Sequence, residues 1–254
     1  MNGSKTAEQV GGIEQSVEDE AIGEGSTDST HLTYSDYADA YFRTRFGFDP
    51  RRDLVWSEVC RYLQNAFIPE DARVLDVGAG YCNFINNVRG SERHAVDLFT
   101  ELPDFAEDGV HAHVGSCTDM SFLADDSIDI AFTSNLFEHL TREQLIPTMN
   151  ELRRVVRTEG TLIVLQPNFR FCYNTYFDDY THLQIFTDRS LFDLLEVFGF
   201  RVREAKPRFL PVNMKSTLRL RLPMLRQIVR FYLALPFKPL AGQMLFVCEN
   251  TPKV

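Results

Sequence analysis

The sequence predicts an α/β protein whose mostly parallel sheet is covered by helices on both faces. Two observations carry this reading. Short β-branched runs, apolar on both sides, recur between residues 73 and 166, and each pair is separated by a stretch able to hold a helix or crossover.

Taken in order, residues 1–31 hold Glu8, Glu14, Glu18, Asp19, Glu20, Glu24 and Asp28 against Lys5 alone, with several Gly and Ser, and predict a disordered acidic tail. From Tyr34 to Phe67, Tyr37, Tyr41, Leu54, Val55, Val59, Tyr62 and Leu63 fall at helical spacings broken at Gly47 and Pro50, so 32–69 reads as two helices joined by a turn. After Pro69 come five strand-like runs: "RVLDV" (73–77), "HAVDL" (94–98), "VHAHV" (110–114), "IDIAFTS" (128–134) and "GTLIVLQ" (160–166). Residues 141–157 predict a helix, with Thr141 as N-cap and Leu145, Ile146, Met149, Leu152, Val155 and Val156 on one stripe. Asp188 opens a further helix over 188–198, which Gly199 stops. "RVREA" and "QMLFVCE" read as two late strands. The expected organisation is therefore the tail, then one domain over 32–254 with a core at 70–206, a basic insertion at 207–240 and a last strand at 241–250.

Composition narrows the function. Five widely spaced cysteines without a CxxC pair signal neither a disulfide framework nor a zinc site, and they predict reduced thiols and no structural metal. Neither a secretory signal nor a run of the roughly 20 apolar residues that cross a bilayer is present, which predicts a cytoplasmic protein. A formal charge of −10 argues against nucleic-acid binding through the overall field. The bias reverses locally: 207–240 contains Arg208, Lys215, Arg219, Arg221, Arg226, Arg230 and Lys238 and no acid. An amphipathic helix around Arg226 and Arg230 fits, and the absence of acids suits an anionic acceptor or weak contact with an anionic membrane surface.

The stretch "VLDVGAGYCNF" (74–84) sets a strand against a glycine-rich turn, where backbone N–H groups and a following helix start face a ligand. A dinucleotide turn wants GxGxxG, but Gly78 and Gly80 are followed by Asn83 at the third position. Asp76, two residues before the turn, is poorly matched to a pyrophosphate and well matched to a cation such as the amino-acid end of S-adenosylmethionine. Asp97, 21 positions later at the end of the second strand, suits the hydroxyls of an adenosine ribose.

These stretches, with "HAVDLF", "VGSCTDMSFLADDSIDIAFTSNLFEHL" and "ELRRVVRTEGTLIVLQPN", resemble the successive motifs of class I S-adenosylmethionine-dependent methyltransferases over about 72–204. The resemblance implies a Rossmann-like, doubly wound, seven-stranded sheet with S-adenosyl-L-methionine as methyl donor. It implies Asp76, Gly78 and Gly80 at the methionine end, Asp97 at the ribose, Cys117 and Thr118 near the adenine, and Ser134 and Asn135 bordering the donor. The chain departs from the family pattern in having Ser116 where Asp is frequent, and Cys82 at the third glycine of GxGxG. "FLPVNMKS" through "LPFKPLAGQMLFV" further resembles methyltransferases of bacterial polysaccharide assembly.

Acceptor walls are expected after the fourth and fifth strands, in "NLFEHL" and "PNFRFCYNTYFDDYTHLQIF". A hydroxyl acceptor needs a base, and His139 and His182 are the two candidates; His182 with Asp178 and Asp179 reads as a base with its orienting acids, a metal site or a solvated loop. The dense aromatics Phe169, Phe171, Tyr173, Tyr176, Phe177 and Tyr180 suit either a sugar ring or a packed lid. The expected activity is methyl transfer to a saccharide or glycoconjugate hydroxyl. An N-methyltransferase or methylase of another small metabolite, a Rossmann-type oxidoreductase, and a non-catalytic donor-binding subunit stand as alternatives.

Overall fold

In the computed structural model, which describes residue 40, residues 50–212 and residues 222–252, seven strands are connected by helices and turns. The strands are β1 (Arg73–Val77), β2 (Glu92–Asp97), β3 (Val110–Val114), β4 (Ile128–Ser134), β5 (Val156–Pro167), β6 (Phe200–Leu210) and β7 (Gln243–Asn250). The helices are α1 (Pro50–Phe67), α2 (Leu102–Phe105), α3 (Arg142–Val155), α4 (Phe169–Cys172), α5 (Asp188–Val197) and α6 (Leu222–Ala234). The expected tail, the first N-terminal helix apart from residue 40, and residues 213–221 of the basic insertion lie outside the described residues.

The sheet runs β3-β2-β1-β4-β5-β7-β6, with β7 antiparallel to both neighbours and the pairs from β3 to β5 parallel. Alternate residues of the central strands enter two separate cores. Val74, Ile130, Phe132, Ile163, Leu165 and Leu245 join Val59, Leu63 and Leu225 of α1 and α6. Leu75, Val77, Ala131, Leu162, Val164 and Phe246 join Met149, Leu152, Leu191 and Leu195 of α3 and α5. This two-sided burial is why the strands read as continuous apolar runs. Because β2 lies on one side of β1 and β4 on the other, the strand order reverses at β1, and a crevice opens beyond the carboxyl ends of β1 and β4.

Local chemistry sets the boundaries. Thr141 and Gln144 form a capping box at the start of α3, and Thr187 and Ser190 form another at α5, one residue ahead of the expected Asp188. Gly199, at φ +76°, ends α5 as expected. The expected helix after the glycine turn is corrected by the structure: turns lead into a 3-10 segment at Ile85–Asn87. Cys82 holds φ +56°, which interrupts right-handed helix, and beyond it Asn87 N–H bonds the Phe84 carbonyl three residues back at 3.0 Å, a 3-10 spacing. No helix of the described residues is long and apolar enough to cross a membrane.

Candidate active site

The glycine turn is built for close approach. A Cβ on Gly78, at φ +76°, would sit 3.1 Å from Leu136 Cδ1. Gly80 and Cys82 also lie in the left-handed region, at φ +51° and +56°. Cys82 therefore adopts the glycine-like conformation of the position it fills, while its fully buried thiol is pushed up to about 12 by burial and by Asp76 and Asp97.

Asp97 braces this turn from the end of β2. One carboxylate oxygen accepts from Gly80 N–H at 2.8 Å and the other from Phe99 N–H at 2.9 Å. Burial raises the Asp97 carboxyl above the ordinary range, opposed by these N–H groups. Asp76, 3 % exposed, is raised well above it by burial and then by the nearby Asp97, with the Ile85 N–H acting the other way. Two buried acids at one crevice disfavour each other's ionisation, and a cationic ligand would offset that cost.

Both carboxyls open onto a cavity of about 340 Å³ that also meets Gly78, Gly80, Ser134, Asn135, Leu136 and His139. A smaller recess of about 60 Å³ continues past Asp97 to Ser116, Cys117 and Thr118. Ser116, where the family pattern favours Asp, binds within its own loop: its Oγ lies 2.7 Å from Thr118 Oγ1 and accepts from Thr118 N–H at 3.2 Å. Cys117 Sγ lies 3.3 Å from Thr148 Oγ1. Asn135, at φ +51°, is held by Gln243, whose Nε2 donates to its Oδ1 at 3.0 Å.

The other end of the cavity is closed by the loop after β5. The Glu138 carbonyl accepts from Leu183 N–H at 2.7 Å and Gln184 N–H at 3.0 Å, which docks residues 179–184 against the 3-10 turn Phe137–His139. His139 Nδ1 lies 2.9 Å from Thr181 Oγ1, and that hydroxyl donates to Asp179 Oδ1 at 2.6 Å. With the Thr181 proton committed to a carboxylate, the hydroxyl accepts from His139 Nδ1–H, which places the imidazole lone pair on Nε2. His182 stands beside it, ring centroids 4.8 Å apart. Asp178 is exposed, whereas Asp179 is buried.

The sequence does not reveal four contributors. Arg52 and Trp56 of α1 line the cavity, and Trp56 meets Phe132 edge-on at 6.0 Å. Thr181 is the third; its link to His139 spans 42 residues. Glu138 is also unforeseen: its carboxylate is buried, meets no hydrogen-bond donor outside its own residue, and is pushed up to about 8 by burial and then by Asp179. One donor atom from each of Glu138, His139 and His182 lies within 4.8 Å of the other two, a set that suits a transition-metal cation.

Residues 75–164 match the family model described as a methyltransferase domain. The search of curated proteins finds no match. Among solved structures, an S-adenosylmethionine-dependent methyltransferase from Archaeoglobus fulgidus superposes with a TM-score of 0.58 at 18 % identity, over 84 % of this chain and 100 % of that one. The complex of the Haloferax volcanii Trm112 methyltransferase activator superposes with a TM-score of 0.64 at 16 % identity, over 87 % and 99 %. The geranyl diphosphate C-methyltransferase of Streptomyces coelicolor A3(2), solved with S-adenosyl-L-homocysteine, gives 0.54 at 12 % identity, over 77 % and 80 %. At such identities the likeness is one of fold.

Proposed function

We propose that this chain, an S-adenosylmethionine-dependent methyltransferase in its matched domain and its fold, methylates a hydroxyl of a saccharide or glycoconjugate. The carrying observation is the His139–Thr181–Asp179 chain at the cavity wall, which orients an imidazole lone pair beside the space an acceptor would enter.

When bound, the donor supplies a methyl carbon activated by a sulfonium, so the protein's work is alignment and proton management. Asp76 would meet the cationic methionine end, with Gly78 and Gly80 offering close backbone approach. Asp97 would meet the ribose, Cys117 and Thr118 the adenine, and Ser134 and Asn135 the donor's flank. His139 takes the hydroxyl proton on Nε2 as the oxygen becomes nucleophilic, and Asp179, through Thr181, stabilises the imidazolium that results. His182 does not line the cavity; its ring packs between those of His139 and Tyr176 and would back the His139 imidazole. Tyr180, 70 % exposed and on the cavity wall, offers an aromatic face with a polar tip to a sugar ring.

A panel of saccharide, amine and other small acceptors with labelled methyl donor tests the reading. Label transferred to a sugar hydroxyl is the expected result. Transfer confined to amines, or donor binding without turnover on every acceptor, would replace it with an N-methyltransferase or a non-catalytic donor-binding subunit.

A further inference from the structure

The basic insertion, with the start of the aromatic loop at Phe171, carries an exposed surface outside the cavity. Of seventeen exposed large apolar side chains among the described residues, eleven fall within 171–185 and 224–240. On α6, Leu225 and Leu233 are buried, and Val229 and Tyr232 pack against the same core. Met224, Ile228 and Phe231, at helical spacing, form a second stripe that is 52, 46 and 68 % exposed. Phe237 and Leu240 extend it beyond the helix at 67 and 87 %. Arg208 joins the two stretches, its guanidinium 4.8 Å from the centroid of Phe171 and 5.7 Å from that of Phe237.

The surface is also cationic. Glu58 of α1 is met by Arg61, Arg226 and Arg230 at 2.8, 3.2 and 2.7 Å, so three guanidinium groups share one carboxylate. Burial works against ionisation of Glu58, but the hydrogen bonds from Arg230 and Arg61 outweigh it and hold the carboxyl below its ordinary range. The cluster keeps an excess of two positive charges, and no acid lies anywhere in 207–240 to cancel it.

We propose that this face docks on an anionic phospholipid surface, with the Met224–Ile228–Phe231 stripe at the headgroup boundary and the arginines among the phosphates. Exposed aromatic and aliphatic side chains flanked by cations are the composition of an interfacial helix. A second copy seated face to face would bring like charges together. The acidic tail has the right charge but little apolar surface to cover the stripe. Tyr180 and Leu183 line the cavity, are exposed, and belong to the loop whose Phe171 meets Arg208 beside Phe237, so one loop connects the cavity wall to the docking face. Resting on the saccharide reading above, the acceptor is then a saccharide carried by a lipid.

The test is flotation of the full chain with vesicles of phosphatidylcholine, alone or mixed with phosphatidylglycerol. Capture is expected with the anionic vesicles alone, reversed by high salt, and weakened about tenfold or more in an Ile228→Glu/Phe231→Glu variant that still binds S-adenosylhomocysteine as wild type does. Absence of capture by anionic vesicles, equal capture of the variant, or a wild-type dimer that the variant splits would overturn the proposal. Soluble saccharides methylated without vesicle capture would remove the docking and keep the reaction. Capture with only amines methylated would do the reverse.

Discussion

His139 Nδ1 and Thr181 Oγ1 lie 2.9 Å apart, and the same hydroxyl reaches Asp179 at 2.6 Å. This contact turns a surface-loop threonine into the element that decides which nitrogen of His139 carries the lone pair. The conclusion separates two substitutions. His139→Ala should keep donor affinity and lower turnover by roughly 10² to 10⁴, the scale of general-base catalysis. Thr181→Val should leave the imidazole in place, its Nδ1 still 3.3 Å from the Thr181 carbonyl, but cut the link to Asp179. It should lower turnover about tenfold or more and shift the acid limb of the pH–rate profile, with acceptor KM little changed. Initial rates at saturating donor across pH measure both. Wild-type turnover in His139→Ala would remove the base, and an unshifted profile in Thr181→Val would remove the link. His182→Ala, which removes the ring packed against His139, should lower turnover more than it raises acceptor KM.

Asp97 has a double duty that makes its removal costly twice. Asp97→Ala should weaken S-adenosylhomocysteine binding by roughly 1.5 to 3 kcal/mol, the scale of a charge-assisted hydrogen bond. It should also lower the melting temperature, because Gly80 N–H and Phe99 N–H lose their acceptor. Calorimetric titration and thermal unfolding of one variant read both effects. An unchanged dissociation constant would take Asp97 out of the donor site, and an unchanged melting temperature would contradict the brace.

The acid limit of stability has a source away from the active site. His94 Nε2 pairs with Glu92 Oε1 at 3.0 Å and its Nδ1 lies 3.3 Å from His113 Nε2, so neutral His94 accepts there and His113 donates. His111 stacks on His94 at 4.9 Å, and Phe122 stacks on His113 at 3.9 Å. Burial lowers both His94 and His113, with Glu92 opposing the shift at His94 and neighbouring histidines adding to it at His113. Folded-state values below the unfolded ones mean that the unfolded chain binds more protons. The stabilisation from neutral histidines is thus complete well above about 6.5, declines as pH falls through that value, and is gone below the folded-state values. Thermal unfolding from neutral pH to about 5 should show wild type losing more stability than His113→Phe. Parallel curves would remove the pair as the cause.

The sheet is legible in the sequence because its central strands are buried on both faces and so stand out as β-branched runs. The residues set at the donor end are legible for a related reason: Asp76, Gly78 and Gly80 sit within five positions of each other, and their chemistry is local. Turns and a 3-10 segment replace the helix expected after the turn, since glycine spacing carries no mark of the positive φ that the buried Cys82 adopts. The acceptor end was half legible. His139 and His182 stand out as residue types, but Thr181 gains its meaning only when the Glu138 carbonyl docks a loop more than forty residues away. Trp56 and Arg52 of α1 carry no sequence mark that distinguishes a cavity wall from ordinary helix packing.

Glu138 ties the base to metal sensitivity. A buried carboxyl held near 8 is mostly protonated at neutral pH, so in the absence of a cation it adds little negative charge beside His139. A transition-metal cation changes this balance: it would ionise Glu138 and recruit ring nitrogens of His139 and His182, whose donor atoms lie within 4.8 Å. Tetrahedral ligands about 2.0–2.1 Å from zinc sit roughly 3.3 Å apart, so the three side chains would have to draw inward by about an ångström. Because His139 cannot hold a metal and take a proton on the same imidazole, added Zn²⁺ should inhibit methyl transfer, and a chelator should restore it. Ligand deprotonation makes the inhibition stronger as pH rises. Glu138→Gln should weaken the zinc effect about tenfold or more while leaving donor binding intact. Activity that requires the metal and vanishes with chelator would show instead that a bound cation, and not the free imidazole, activates the hydroxyl.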